Sequence, residues 1–323
     1  MNLLLLSIGR RVELLKAFRA AFAKLNIRGR IITTDISPLN PAWYLGDARY
    51  ILPRVEDSET RFLQALFDVC TREQIHLIVP IIDQDLLILA QQRAEFQSRG
   101  IRVLVSPPEA IAIATNKLRV FQFLHTNGWD TPQVMDLETA RTHTLPLFIK
   151  PEFASGAVNS HKIHSRNDLE YYARTVPDPV IQEFVEGTEI TTDIFSDWDA
   201  RVITSVPRRR LKLKAGEVSI GRVERDVRLE MLCSDIARKL GTIGPINIQV
   251  IRAGEKFYVT DINARFAGGI PLSIQAGAPM HEWVIRMGLG QSIAHETVAL
   301  DDGLVMMRYD ESIFFKPAEL ETW

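Results

Sequence analysis

Asp261, Asn263 and Arg265 occupy alternate positions directly after the strand-like run Lys256-Phe257-Tyr258-Val259. Side chains two apart on a strand share a face, so a carboxylate, a carboxamide and a guanidinium point into one cleft. Mg²⁺ prefers hard oxygens, typically one or two carboxylates together with substrate phosphates. A guanidinium forks onto an oxyanion. The trio therefore suits a magnesium–polyphosphate site, with Gly268-Gly269 allowing a ligand close to the backbone. The competing reading is a solvated polar strand end running into a turn. Upstream, Gly244 to Ile251 reads as a second strand that pairs with the first around Ala253-Gly254-Glu255, which brings Gln249 toward the same cleft.

Two further groups of residues carry chemistry. Leu145 to Pro151 reads as a strand delivering Lys150 to the small-residue loop Ala154-Ser155-Gly156-Ala157. Backbone N–H groups of such a loop can cradle a triphosphate while the ammonium neutralises its charge. In Val206-Pro207-Arg208-Arg209-Arg210, strand alternation sends Arg208 and Arg210 to one face. We read that face as an acceptor or phosphate pocket; the rival reading is a solvated basic edge.

The elements that must position these residues begin with a continuous apolar run at residues 2–8, a strand buried on both faces. Val12 to Leu25 has helical spacing, Arg30 to Asp35 and Ala48 to Leu52 read as strands, and Glu59 to Arg72 as a helix. Ile75 to Val79, a helix across Leu86 to Phe96 and the strand Arg102 to Val105 complete the alternation. This is a doubly wound α/β domain, whose ligands lie beyond the carboxyl ends of the strands. Those ends carry Gly9-Arg10-Arg11, Asp35 and Asp83 with Asp85. A nicotinamide fingerprint needs three spaced glycines where this loop has one, although Asp35 stands where a ribose-binding acid would. Asp83 and Asp85 are also readable as acids answering a helix macrodipole.

The chain of 323 residues is 46% hydrophobic and 24% charged, with a formal charge of -2. That balance gives no electrostatic case for nucleic acid. No apolar run reaches the roughly 18 residues of a membrane span, and Leu3 to Leu6 lacks the basic flank of a signal peptide. Cys70 and Cys233 make no metal spacing and read as buried free thiols, so the expected location is cytoplasmic.

In order along the chain come Lys117, Lys150-Pro151, Ser155-Gly156, Gln182-Glu183-Phe184-Val185-Glu186-Gly187-x-Glu189, Gln249 and Asp261-x-Asn263-x-Arg265. The set resembles the ATP-grasp superfamily, most closely the branch related to the synthetase domain of the carbamoyl phosphate synthetase large subunit. The resemblance implies an α/β plus α+β fold. An N-terminal doubly wound domain (1–113) precedes a two-subdomain ATP-grasp core, with a central lid (114–186) and a C-terminal metal-binding part (187–323). It also implies ATP and Mg²⁺ as cofactors. Lys117 and Lys150 match the phosphate-binding lysines, and Ser155-Gly156 matches the loop over the phosphates. Glu183, Phe184 and Val185 match the adenine hinge, and Glu189 the ribose-side acid. Gln249, Asp261 and Asn263 match the Mg²⁺ ligands, and Arg265 the arginine on the transferred phosphate. Two departures are a loop with one glycine where relatives have several, and Asp261 where a longer Glu is usual. The implied activity is an ATP-dependent ligase joining a small carboxylate to an amine; the alternative is an ATP-binding sensor without turnover. No second ATP-grasp half is present in the sequence, and a homodimer is the base-rate expectation.

Overall fold

The computed structural model describes residues 1–153, 158–214, 216–293 and 298–316. Its first sheet is parallel: β1 (Asn2–Leu6), β2 (Ile31–Asp35), β3 (Ala48–Ile51), β4 (Ile75–Pro80) and β5 (Arg102–Val103) lie in the order β3-β2-β1-β4-β5. The four leucines of β1 are fully buried because both of its faces are covered. Leu3 and Leu5 pack with Leu14, Leu15 and Phe18 of the helix Val12–Lys24. Leu4 and Leu6 pack with Phe62 and Leu66 of the helix Glu59–Arg72 on the other side. Alternation along one strand thus feeds two cores.

A small antiparallel sheet follows, with β6 (Val134–Met135), β7 (Leu147–Pro151), β8 (His161–Ile163) and β9 (Pro179–Glu183) in the order β6-β9-β7-β8. It buries Leu147, Ile149, Ile163 and Ile181 against Ala140 and Leu169 in a core of its own. The third sheet is antiparallel: β10 (Thr188–Ser196), β11 (Val202–Lys214), β12 (Glu217–Val223), β13 (Gly244–Ala253), β14 (Lys256–Asn263) and β15 (Val305–Met307), ordered β14-β13-β10-β11-β12-β15. It has no separate core. Ile190, Ile194, Ile248 and Ile262 join the cluster of Leu4 and Leu6, whereas Phe195, Val206 and Val223 join that of Leu3 and Leu5. The first and third sheets are therefore packed as one mass, and the small sheet is packed on itself.

The fold class expected from sequence is the one observed. The structure adds four helices that the spacing did not reveal, Pro41–Tyr44, Pro108–Ala114, Leu137–Thr142 and Arg166–Thr175. The single helix expected over Leu86 to Phe96 is two, Leu86–Gln91 and Arg93–Ser98, parted at Gln92. Among the described residues no helix is long and apolar enough to cross a membrane. Cys70 and Cys233 are free and buried.

Candidate active site

Strands β13 and β14 meet in a tight hairpin whose turn uses Gly254 at φ +59°, a left-handed conformation that glycine adopts without a Cβ penalty. Their register sets Gln249 opposite Asp261 and Asn247 opposite Asn263. With a two-residue period, all four side chains fall on one face. The Asn263 amide reaches Asp261 Oδ2 at 3.4 Å and Asn247 Oδ1 at 3.3 Å. Asn247 was not singled out from the sequence. The signal was present, because it stands two residues before Gln249 on the same strand.

Two lysines from elsewhere converge on this face. Lys117 is the first residue of the helix Lys117–Thr126, whose start is fixed by the Asn116 side chain accepting from the Arg119 N–H at 3.0 Å. From there the Lys117 ammonium reaches Asp261 Oδ1 at 2.8 Å, both side chains being largely buried. Lys150, near the end of β7, donates to the Thr260 carbonyl at 3.0 Å. Burial pushes the Lys150 ammonium down to about 8; Asp261 pulls it back up, and Lys117 adds to the fall. Two ammonium groups facing one carboxylate leave the cleft suited to an anion.

The segment Glu183–Gly187 links β9 to β10 and walls the same cleft. Gly187 lies against the Arg252 carbonyl, where a Cβ would have no room. Glu183 is tied to the chain on both sides: its N–H donates to the Gln133 carbonyl at 3.0 Å and its carboxylate accepts from the Gln133 N–H at 3.1 Å. The Lys162 ammonium sits 3.7 Å from the Phe184 ring centroid. Glu189 pairs with Arg210 at 3.1 Å, and Arg210 also donates to the Gly216 carbonyl at 3.2 Å. Burial lowers the Arg210 pKa, Glu189 opposes that, and Arg208 adds to it. Lys117, Lys150, Glu183, Phe184, Val185, Glu189, Arg210, Gln249 and Asp261 all line one cavity of about 430 Å³. Asn263 continues the face beyond it, and Arg265 follows, donating to Asn263 Oδ1 at 3.4 Å and to Asp83 Oδ2 at 2.6 Å. Ser155 and Gly156 lie outside the described residues.

Four expectations need correction. Arg208 does not line the cavity. It is 1% exposed and forks onto Asp193, at 2.5 Å and 2.8 Å, while Ser273 donates to the same carboxylate at 2.5 Å. Alternation put Arg208 and Arg210 on one face, but the neighbouring strand supplies different acids along it. Gly268 and Gly269 make room for arginines: a Cβ at Gly268 would lie 2.6 Å from Arg11 Nη1, and one at Gly269 would meet Arg208 Nη1. Asp35 is not available to a ribose, since it accepts from Gly9 N–H at 2.7 Å, Ile36 N–H at 2.8 Å and the Asn40 amide at 2.7 Å. Asp83 is more than a helix-end acid, because it holds Arg265 across 182 residues of sequence.

The donor set fits Mg²⁺ of the kind that arrives with a polyphosphate. Asp261 supplies one carboxylate, and Gln249 and Asn263 supply carboxamide oxygens on the same face. Among the described residues no cluster of three His, Cys, Asp or Glu side chains forms a cage. One carboxylate with substrate oxygens completing the shell is the usual arrangement for this ion.

Residues 3–104 match the family described as PylC-like, N-terminal domain, and residues 175–311 match the family described as ATP-grasp in the biosynthetic pathway with Ter operon. The chain is 26% identical over 226 residues to the carbamoyl phosphate synthase large chain of Thermomicrobium roseum, covering 63% of this chain and 21% of that protein. It thus spans about a fifth of the length of that relative. Among solved structures, biotin carboxylase from Campylobacter jejuni, in complex with β,γ-ATP, superimposes with a TM-score of 0.75 at 16% identity, covering 92% of this chain and 73% of that one. L-amino acid ligase from Bacillus licheniformis gives a TM-score of 0.67 at 18% identity, covering 89% and 74%.

Proposed function

We propose that this chain, which belongs to the ATP-grasp superfamily, is an ATP- and Mg²⁺-dependent ligase that activates a small carboxylate as an acyl phosphate for attack by an amine. The observation that carries the reading is the convergence of Lys117, Lys150, the Glu183–Gly187 segment, Gln249 and Asp261 on one cavity from separate elements. The similarity to a carbamoyl phosphate synthase large chain, and the shared fold with an L-amino acid ligase, support carbon–nitrogen ligation as the chemistry. Bound MgATP would supply the phosphoryl group and the divalent charge that makes ADP a good leaving group.

The chain's residues then have separable tasks. Within the lid of residues 114–186, the small sheet has a core of its own and is free to move as a body, while Val120 and Leu124 of the helix Lys117–Thr126 stay packed in the main core. The Glu183, Phe184 and Val185 segment holds the adenine at the hinge, and Glu189 faces the ribose. Lys150 and Lys117 would take the phosphates, and Asp261, paired with Lys117 here, would be one of the residues to hold the metal. Gln249, Asp261 and Asn263 would hold Mg²⁺. Arg265, which donates to Asp83, would steady the transferring phosphoryl group. Such transfer needs positioning and charge neutralisation rather than a protein nucleophile. The test is ADP release from MgATP with a pool of small carboxylates and amines, alongside calorimetry with MgATP. Turnover with one pair supports the reading; no heat of MgATP binding refutes it. Binding without turnover, retained in Asp261→Asn, would mark a sensor instead.

A further inference from the structure

A second cavity, of about 350 Å³, opens at the carboxyl ends of the parallel strands and is lined by Ser7 after β1, Ile36 after β2, Leu52 to Glu56 after β3, and Ile81 to Asp85 after β4. Strand order reverses between β1 and β4, and crevices at such switch points are where open α/β sheets take ligands. Arg265 also lines this cavity, so it stands between the two.

The walls carry opposite charges with unmet needs. Asp85 is 3% exposed, and its Oδ2 has no hydrogen-bond partner among the described residues. A buried carboxylate oxygen without a partner is costly and marks a place where something is missing. Arg265 is partly buried, with a buried Nε that has no partner among the described residues, although its Nη2 is held by Asp83. Arg11, paired with Glu217 at 3.2 Å, adds a second mostly buried guanidinium to the lining. Between the charges the wall is apolar, from Ile36, Leu52, Phe62 and Ile81. A molecule that satisfies this lining has a cationic nitrogen for Asp85, an anionic oxygen for the arginines and a hydrocarbon part.

We propose that this cavity binds the carboxylate substrate, and that this substrate is an amino acid whose ammonium sits on Asp85 while its carboxylate lies at Arg265, facing the nucleotide cavity. The proposal rests on the ligase reading above. It assigns Asp85 a positioning role: gripping the substrate's ammonium sets its carboxylate at Arg265, and a nitrogen held as ammonium has no lone pair with which to compete with the acceptor amine. The volume admits a molecule of amino-acid size and lies at the low end for small-molecule sites.

The experiment is calorimetric titration of the full chain, saturated with MgATP, by L-leucine, L-methionine and L-phenylalanine and by their counterparts without the amino group, 4-methylpentanoate, 4-(methylthio)butanoate and 3-phenylpropanoate. At least one amino acid should bind ten-fold or more tightly than its counterpart, and Asp85→Asn should erase that preference with MgATP affinity unchanged. Equal affinity for the members of every pair, or no binding by any amino acid in protein that binds MgATP, overturns the inference and leaves the ligase reading standing. Failure to bind MgATP refutes that reading itself. Should Asp85→Asn not fold, Val55→Trp decides: filling the cavity from its wall must abolish amino-acid binding while MgATP still binds, and retained amino-acid affinity overturns the proposal.

Discussion

Replacing Arg208 by Met separates a structural arginine from a catalytic one. The Arg208–Asp193 pair is almost fully buried, with side-chain exposures of 2% and 1%. Water cannot screen the carboxylate left behind, and Ser273 alone would remain to donate to it. Removing one partner of such a pair costs about 3–5 kcal/mol, because the other charge stays buried without compensation. At about 2–4 °C per kcal/mol for chains of roughly this size, the melting temperature should fall by on the order of 10 °C. Replacing both residues, as Arg208→Met with Asp193→Leu, should recover most of that loss, since an apolar pair of similar volume is often neutral or better. The assay is thermal unfolding followed by circular dichroism, with MgATP affinity measured below the transition. A stable Arg208→Met protein, within a degree of the parent but unable to turn over ATP, would refute the buried-pair account and return Arg208 to the acceptor pocket.

Asp261→Asn should weaken MgATP roughly ten-fold, about 1.4 kcal/mol, while leaving metal-free ATP much less affected; equal weakening of both, read by calorimetry with and without chelator, would remove Asp261 from the metal site. Burial pushes the Asp85 carboxyl up to about 7, and Glu56, Asp35 and Asp83 push the same way against a hydrogen bond from Ser7. The folded chain then holds a proton between about pH 4 and 7 that the unfolded chain releases, so this group makes stability fall as pH rises through that window. Asp85→Asn should accordingly be more stable than the parent at pH 8 by up to roughly 4 kcal/mol, with the difference vanishing near pH 4, as denaturant titrations at the two pH values would show. Burial pushes both thiols, Cys70 and Cys233, up to about 12, so neither should react with a thiol reagent at pH 8 until denaturant is added, after which two should.

The legible part of the molecule is the part where a short-range period does the positioning. Leu3 to Leu6 revealed a strand buried on both faces, and the helix Glu59–Arg72 was readable to its ends because its apolar positions keep one stripe and Ser58 caps it. The four missed helices are short, from 4 to 10 residues, and bury only one to three side chains each, too few to set up a readable stripe. At the site, alternation placed Asp261 and Asn263 on one face, and the hairpin register added Gln249 and Asn247. Pairings across distant sequence were invisible: nothing local says that Arg265 meets Asp83, or that Lys117 meets Asp261 144 residues away.

Arg208 shows why periodicity alone misleads. Arg208 and Arg210 do share a face of β11, as the spacing requires, and that face crosses β10 in register with Thr191 opposite Arg208 and Ile190 opposite Arg209. Along β10 the acids come at Asp193 and Glu189, one toward the buried middle of the sheet and one at its exposed start. Each arginine takes the acid nearer to it. The inner pair is shut in by Ser273 and Gly269, and the outer pair is left at the cavity wall. Two identical side chains on one strand face thus acquire opposite work, one fixing the sheet to the segment behind the glycine turn and the other facing the cavity. The side-chain type gave the charge, but the depth along the neighbouring strand decided what that charge does.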